Sequence, residues 1–165
     1  MVDQQQHHQT PADDCNQNMV SSFYKALASR DAATVHRLLA PNIEWWFHGP
    51  PSCNRLMRLL TGCVTTADED HSFDFHPISV VPIGSVVLAE GYFPGSCEVC
   101  WVHAWTVTDG VMTQVREYFN TSVTVTRFAK SANVHVGSQG VDKCQCVWQS
   151  KLTDHASVPG LLLAV

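Results

Sequence analysis

Three stretches of this sequence set acids and imidazoles among tryptophans: Glu44-Trp45-Trp46-Phe47-His48, Trp101-Val102-His103-Ala104-Trp105 and Val115-Arg116-Glu117-Tyr118-Phe119. A carboxylate beside an imidazole can shuttle protons near neutral pH, and such catalysis contributes roughly 10²–10⁴-fold. All three stretches have the aromatic and β-branched weight of strands. Alternate residues of a strand share a face. Glu44, Trp46 and His48 therefore form one set, Trp101, His103 and Trp105 a second, and Val115, Glu117 and Phe119 a third. The interleaved Trp45, Phe47, Val102, Ala104, Arg116 and Tyr118 face the other way. Alternation alone leaves open which face is inside. Non-catalytic readings stand beside the catalytic one. Glu117 could pair with Arg116 or Arg127 on the sheet surface. His48 could be a strand-end hydrogen bonder, His103 a satisfied core histidine, and the tryptophans plain packing.

Cys97-x-x-Cys100, with His103 three residues on, has the outline of a metal or redox motif. No second CxxC follows at a finger-like spacing, and Cys144-x-Cys146 is the only other close pair. Cys100 and His103 also fall on opposite strand faces. No metal and no cofactor are expected.

The elements that must hold these residues are legible from periodicity. Residues 1–13 read as a disordered polar leader, and 14–165 as one domain. From Asp14 a stripe of Met19/Val20, Phe23/Tyr24 and Leu27/Ala28 predicts a helix. Asp31 caps a second short one that Pro41 stops. The aromatic stretch at 42–48 predicts a strand, closed by Gly49-Pro50-Pro51. Ser52 is expected to cap a third helix carrying Leu56, Leu59 and Leu60, with Gly62 just past its end. Strands then follow over 73–81 (edge or bulge at Pro77), 85–93, 98–108, 111–119, 123–128 and 144–148. Asp109-Gly110 makes a tight hairpin. Residues 131–140 read as a polar loop. The apolar end, Leu161-Leu162-Leu163-Ala164-Val165, should dock on something. Helix, helix, strand, helix and a strand meander predict an α+β fold: a curved antiparallel sheet wrapped around three N-terminal helices, hollow enough for a pocket.

Composition narrows the function classes. The net charge is −5 with His neutral, and no Lys/Arg cluster marks a nucleic-acid-binding face or an anionic membrane surface. Only 15% of residues are charged, as in a compact globule. No apolar run is long enough to span a membrane. The N-terminal residues lack a secretory pattern, and seven cysteines, an odd number, suit free thiols. A cytoplasmic location is expected, with passage to the nucleus open to so small a chain.

Four stretches carry a resemblance. They are Asn42 to Pro51, Trp101 to Gly110, Arg116-Glu117-Tyr118-Phe119-Asn120-Thr121, and Ser157-Val158-Pro159-Gly160-Leu161. Together they resemble plant wound-induced proteins of the WI12 type, over nearly the whole chain from about Asn16. That family is similar to the NTF2-like and SnoaL-like superfamily, which implies an NTF2-like cone and association with wounding, senescence and stress. In epoxide-hydrolase-like relatives the acid of an Arg-(Asp/Glu)-Tyr-Phe motif points into the pocket. An aromatic and a polar residue two apart sit at the end of the first strand. The resemblance thus places Glu117, Trp46 and His48 inward, and by hairpin alignment Trp101, His103 and Trp105 too. The implied site has Glu117, His48 and His103 as acid/base groups. Trp46, Trp101, Trp105, Phe119 and Glu44 contact the ligand. A small, flat, apolar plant metabolite would suit it. The Arg/Asp pair of the hydrolases is replaced by Gly91 and Phe93, so epoxide hydrolysis is not expected. The first reading is a binding protein or accessory factor to partner enzymes of specialised metabolism. The alternatives are an isomerase, cyclase or dehydratase, and a protein-interaction module. A homodimer through the exposed sheet face is expected by family habit.

Overall fold

The computed structural model describes residues 9–62, 75–93, 96–128, 144–152 and 160–163. Residues 1–8 of the expected leader, the whole 131–140 loop and residues 73–74 of the expected second strand lie outside these; residues 10–13, read as leader, instead cap and open the first helix.

Helix α1 (Pro11–Ala28) begins three residues before the expected Asp14 because a capping box sets its start. Asp13 N–H donates to Thr10 Oγ1 at 3.2 Å, and Thr10 N–H donates to Asp13 Oδ2 at 2.9 Å. Such a pair satisfies two amides that the helix leaves free. Val20, Phe23, Tyr24 and Ala26 face the core. Ala28, expected in the stripe, is exposed. Helix α2 (Ala32–Leu38) is capped by Asp31, which accepts from Thr34 N–H at 3.1 Å. Helix α3 (Arg55–Leu60) follows a short 3-10 turn, Pro51–Cys53; its N-cap residue is Asn54 rather than Ser52. Gly62 lies just past it with φ of 69°.

The main sheet contains β1 (Leu39–His48), β2 (Ser79–Ile83), β3 (Val86–Phe93), β4 (Ser96–Thr108) and β5 (Val111–Phe119), in the order β1-β5-β4-β3-β2. Asp109 and Gly110 both have positive φ, 49° and 79°, as the tight β4–β5 hairpin requires. The sheet is not wholly antiparallel: β1 runs parallel to β5. No hairpin joins these two strands, so nothing local in the sequence fixes their relative direction. Asn120, with φ of 53°, breaks the chain after β5.

The next strands do not extend that sheet. β6 (Val123–Phe128), β7 (Cys144–Gln149) and β8 (Gly160–Leu163) form a second, three-stranded one in the order β7-β6-β8. The apolar C-terminal segment thereby docks on β6, with Val123 opposite Gly160 and Thr126 opposite Leu163.

Two apolar clusters show how the layers stack. On the inner face of the main sheet, Val87, Trp101, Trp105, Met112 and Val115 pack with Val20 and Phe23 of α1 and Leu56 of α3. On its outer face, Leu88, Val102, Ala104 and Tyr118 pack with Val123, Val125 and Trp148 of the second sheet. The chain's own second sheet therefore covers much of the outer face on which self-association was expected. Trp46 stays 53% exposed on that face. Among the described residues no helix is long and apolar enough to cross a membrane.

Candidate functional site

Cross-strand register assembles the site. In the β4–β5 pair, His103 lies opposite Glu117, Trp101 opposite Phe119 and Trp105 opposite Val115. Directly paired residues share a face, and this one is the inner face, towards α1. His103 and Glu117 are both 0% exposed. The surface reading of Glu117, as a partner of Arg116 or Arg127, is thus excluded by burial.

Helix α1 supplies the third polar group. Trp105 Nε1–H donates to Tyr24 Oη at 2.9 Å, and Tyr24 Oη lies 2.6 Å from His103 Nδ1. Burial holds the Tyr24 hydroxyl well above the usual phenol range; the Trp105 hydrogen bond opposes this, and the nearby Glu117 charge adds to it. Tyr24 is then a neutral O–H at physiological pH. With its oxygen accepting from Trp105, its proton goes to His103 Nδ1. This network assigns the imidazole proton to Nε2. Nε2 faces Glu117 Oε1 at 3.4 Å. That is an ion-pair distance without hydrogen-bond alignment, because His103 Nε2 and both Glu117 oxygens have no hydrogen-bond partner. The chain Trp105–Tyr24–His103 is thus ordered up to one end, where its last donor and the carboxylate stand unsatisfied. A buried polar atom in that condition costs about 1–3 kcal/mol.

Two indole N–H groups share it. Trp101 Nε1 and Trp45 Nε1 are buried without a partner. The Trp101 ring lies 4.6 Å from that of His103, centroid to centroid. Its position depends on Gly91, its cross-strand partner. A Cβ on Gly91 would stand 2.7 Å from Trp101 Cζ2 and 2.6 Å from the His76 carbonyl oxygen. Gly91 and Phe93, where hydrolase relatives carry an Arg/Asp pair, both pack on the inner side, Phe93 against Phe75 and Phe119.

The first strand corrects the expected site. Its inward residues are Trp45, opposite Val115, and Phe47, opposite Glu117. Glu44, Trp46 and His48 lie on the outer face instead. Glu44 accepts from Gln114 Nε2 at 2.9 Å, Trp46 pairs with Arg116, and His48 stacks on Tyr118 at 4.7 Å. The physical reason is phase. Alternation ties residues within a strand together, but the strand's phase against its neighbour is set by pairing, and the β1–β5 register shifts between Leu39 and Glu44. His48 is therefore separated by the sheet from Glu117, and only His103 joins it. Trp101, Trp105 and Phe119 are on the expected face.

Sequence reasoning missed Tyr24 and Trp45. Tyr24 sat in the apolar stripe of α1, where a hydroxyl needing a partner was the available signal. Cys100 is buried on the outer face, its Sγ 3.9 Å from Asn120 Oδ1 and the sheet between it and His103. Burial, and to a lesser extent the Glu90 charge, push its thiol up, while its own backbone hydrogen bond opposes them.

Comparison with known proteins agrees with this architecture. The family model described as wound-induced protein WI12 matches residues 57–165. The chain is 51% identical to "Wound-induced protein 1" of Solanum tuberosum over 111 residues, 66% of this chain and 100% of that protein. It is 46% identical over 116 residues to "Senescence associated gene 20" of Arabidopsis thaliana, with the same coverage of 66% and 100%. Among solved structures, Bal32a from a soil-derived mobile gene cassette superposes with a TM-score of 0.52 at 18% identity, over 66% of this chain and 91% of that one. A protein described as a SnoaL-like polyketide cyclase, from Jannaschia, superposes with a TM-score of 0.50 at 14% identity, over 68% and 90%. These two likenesses are of fold. By its architecture the chain has the NTF2-like, SnoaL-like α+β fold, and by sequence it belongs to the WI12 family of wound-induced proteins.

Proposed function

We propose that this chain is a stress-associated protein that binds a small, largely apolar plant metabolite against the inner face of its main sheet. The observation that carries the reading is the buried end of the Trp105–Tyr24–His103 chain, where His103 Nε2 and the Glu117 carboxylate lack partners. A core built only for stability gains nothing from that arrangement. Aromatic walls at Trp101, Trp105, Phe75 and Phe119 favour a flat ligand, and each stacking contact adds about 0.5–1.5 kcal/mol. Service to partner enzymes of specialised metabolism, by presenting or protecting such a compound, fits this reading.

A second reading is favoured by the same carboxylate. Glu117 would take a proton from an acidic C–H of the ligand and return it to another ligand carbon, an isomerisation without cofactor. The Nε2–H of His103 would hold the carboxylate in place between the two transfers. His48 has no part in this version, since it lies on the other face.

Native mass spectrometry of the full chain purified from leaf tissue tests the binding reading. A small molecule released on denaturation, and absent from a Trp101→Ala protein, is the expected result. A bare protein mass that also fails to take up any added flat probe, whether tetralin or its ketones, removes the reading.

A further inference from the structure

The unsatisfied atoms of the inner face form an inventory with a definite complement. Glu117 offers two acceptor oxygens, and His103 Nε2, Trp101 Nε1 and Trp45 Nε1 offer donors. Among the described residues, the other unsatisfied side-chain atoms, Asn54 Oδ1 and Thr126 Oγ1, belong to other elements. Trp101 and Trp45 are each diagonal to Glu117: Trp101 lies opposite Phe119 on β5, and Trp45 opposite Val115. Diagonal neighbours on one face are about 7–8 Å apart at the backbone, within reach of long side chains. A hydrocarbon would satisfy none of these atoms. A simple ketone would satisfy the donors and leave the carboxylate bare.

Building on the proposed binding site, we infer that its ligand is a flat hydroxy-carbonyl compound. The hydroxyl donates a hydrogen bond to Glu117. The carbonyl oxygen accepts an indole N–H from Trp101 or Trp45. The rings lie against Trp101, Phe75 and Phe119, and entry requires Phe75 to part from Trp101, which it now meets edge to face at 5.3 Å. A site made to hydrogen-bond both groups rejects analogues that lack either, because its own buried groups are then left unpaired.

Three probes with one ring frame separate the claims: tetralin with neither group, 1-tetralone with the carbonyl, and 2-hydroxy-1-tetralone with both. Ligand-observed NMR titration of the full chain gives their affinities. The expected order is 2-hydroxy-1-tetralone over 1-tetralone over tetralin, with each step about tenfold, near 1.4 kcal/mol. Glu117→Gln should erase the first step and leave tetralin unchanged. Trp101→Phe, which keeps the ring, should shrink the second. Equal affinities for all three probes overturn the inference and leave the apolar site standing, with water filling the polar atoms. Absence of saturable binding by any probe overturns both.

Discussion

His103 and Glu117 face each other across β4 and β5 with Nε2 and Oε1 3.4 Å apart, wholly buried and not hydrogen-bonded to each other. The hydrogen bond to Tyr24 occupies His103 Nδ1 and leaves Nε2 turned to the carboxylate. Removing the two partners should therefore have opposite effects on stability. Glu117→Gln replaces a buried carboxylate that lacks hydrogen-bond partners with an uncharged amide of the same shape, so the melting temperature should rise, by the equivalent of about 1–2 kcal/mol. His103→Ala leaves a lone buried carboxylate and strips Tyr24 of its acceptor, and should cost about 3 kcal/mol or more. Thermal unfolding of both variants checks this, and a fall for Glu117→Gln would mean that the carboxylate is a structural anchor.

Tyr24 makes stability depend on alkaline pH. In the unfolded chain its hydroxyl ionises near pH 10, whereas burial in the fold holds the proton to higher pH. Above pH 10 the unfolded state binds fewer protons, so stability should fall with rising pH until the folded-state value is passed. Tyr118, whose hydroxyl is also raised by burial with Arg116 opposing, adds a smaller contribution of the same sign. Tyr24→Phe should flatten this alkaline loss. At neutral pH it should also cost about 1–3 kcal/mol, by leaving Trp105 Nε1 and His103 Nδ1 unpaired. Urea titrations between pH 7 and pH 11 measure both.

Gly91 holds the Trp101 indole in place by having no side chain. In Gly91→Ala the new methyl meets a backbone carbonyl on one side, so the indole must yield. The change should cost about 1–3 kcal/mol and alter the near-ultraviolet circular dichroism of the buried tryptophan. Unchanged spectra would show that the ring is not confined there.

Much of the fold was legible because it is written in local periods. The α1 stripe, the Asp31 cap, the Asp109-Gly110 turn and β5 at Val111–Phe119 follow from neighbouring residues. What was not legible depends on register and layering. The phase of β1 against β5 decides whether Trp45 or Trp46 faces the site, and it is set by a non-local parallel pairing. The separation of β6 from the main sheet, and the docking of β8, likewise depend on contacts between distant segments. Glu117 was placed inward by the family resemblance, and the hairpin that ties β4 to β5 carried Trp101, His103 and Trp105 to the same face as it. Tyr24 was hidden in a stripe that reads as plain core.

Glu90 is another wholly buried acid, on the opposite face from the site. It accepts from Ser150 Oγ at 2.6 Å and from the Lys151 amide at 3.1 Å, and so pins the end of β7 to β3. Glu90→Ala should therefore loosen the second sheet before the first, at a cost of about 1–3 kcal/mol, while probe binding at the inner face persists. Hydrogen exchange should quicken over 144–152 and stay slow in β4 and β5. Equal quickening in both sheets would contradict the separate layers.

The most direct measurement is the set of indole N–H signals, which five tryptophans supply to a proton–nitrogen NMR spectrum. On addition of 2-hydroxy-1-tetralone, the signals of Trp45 and Trp101 should shift together and saturate, that of Trp105 should move little, and that of Trp46 should stay fixed. Movement of Trp46 with Trp45 and Trp101 unmoved would place the ligand on the outer face and contradict the account.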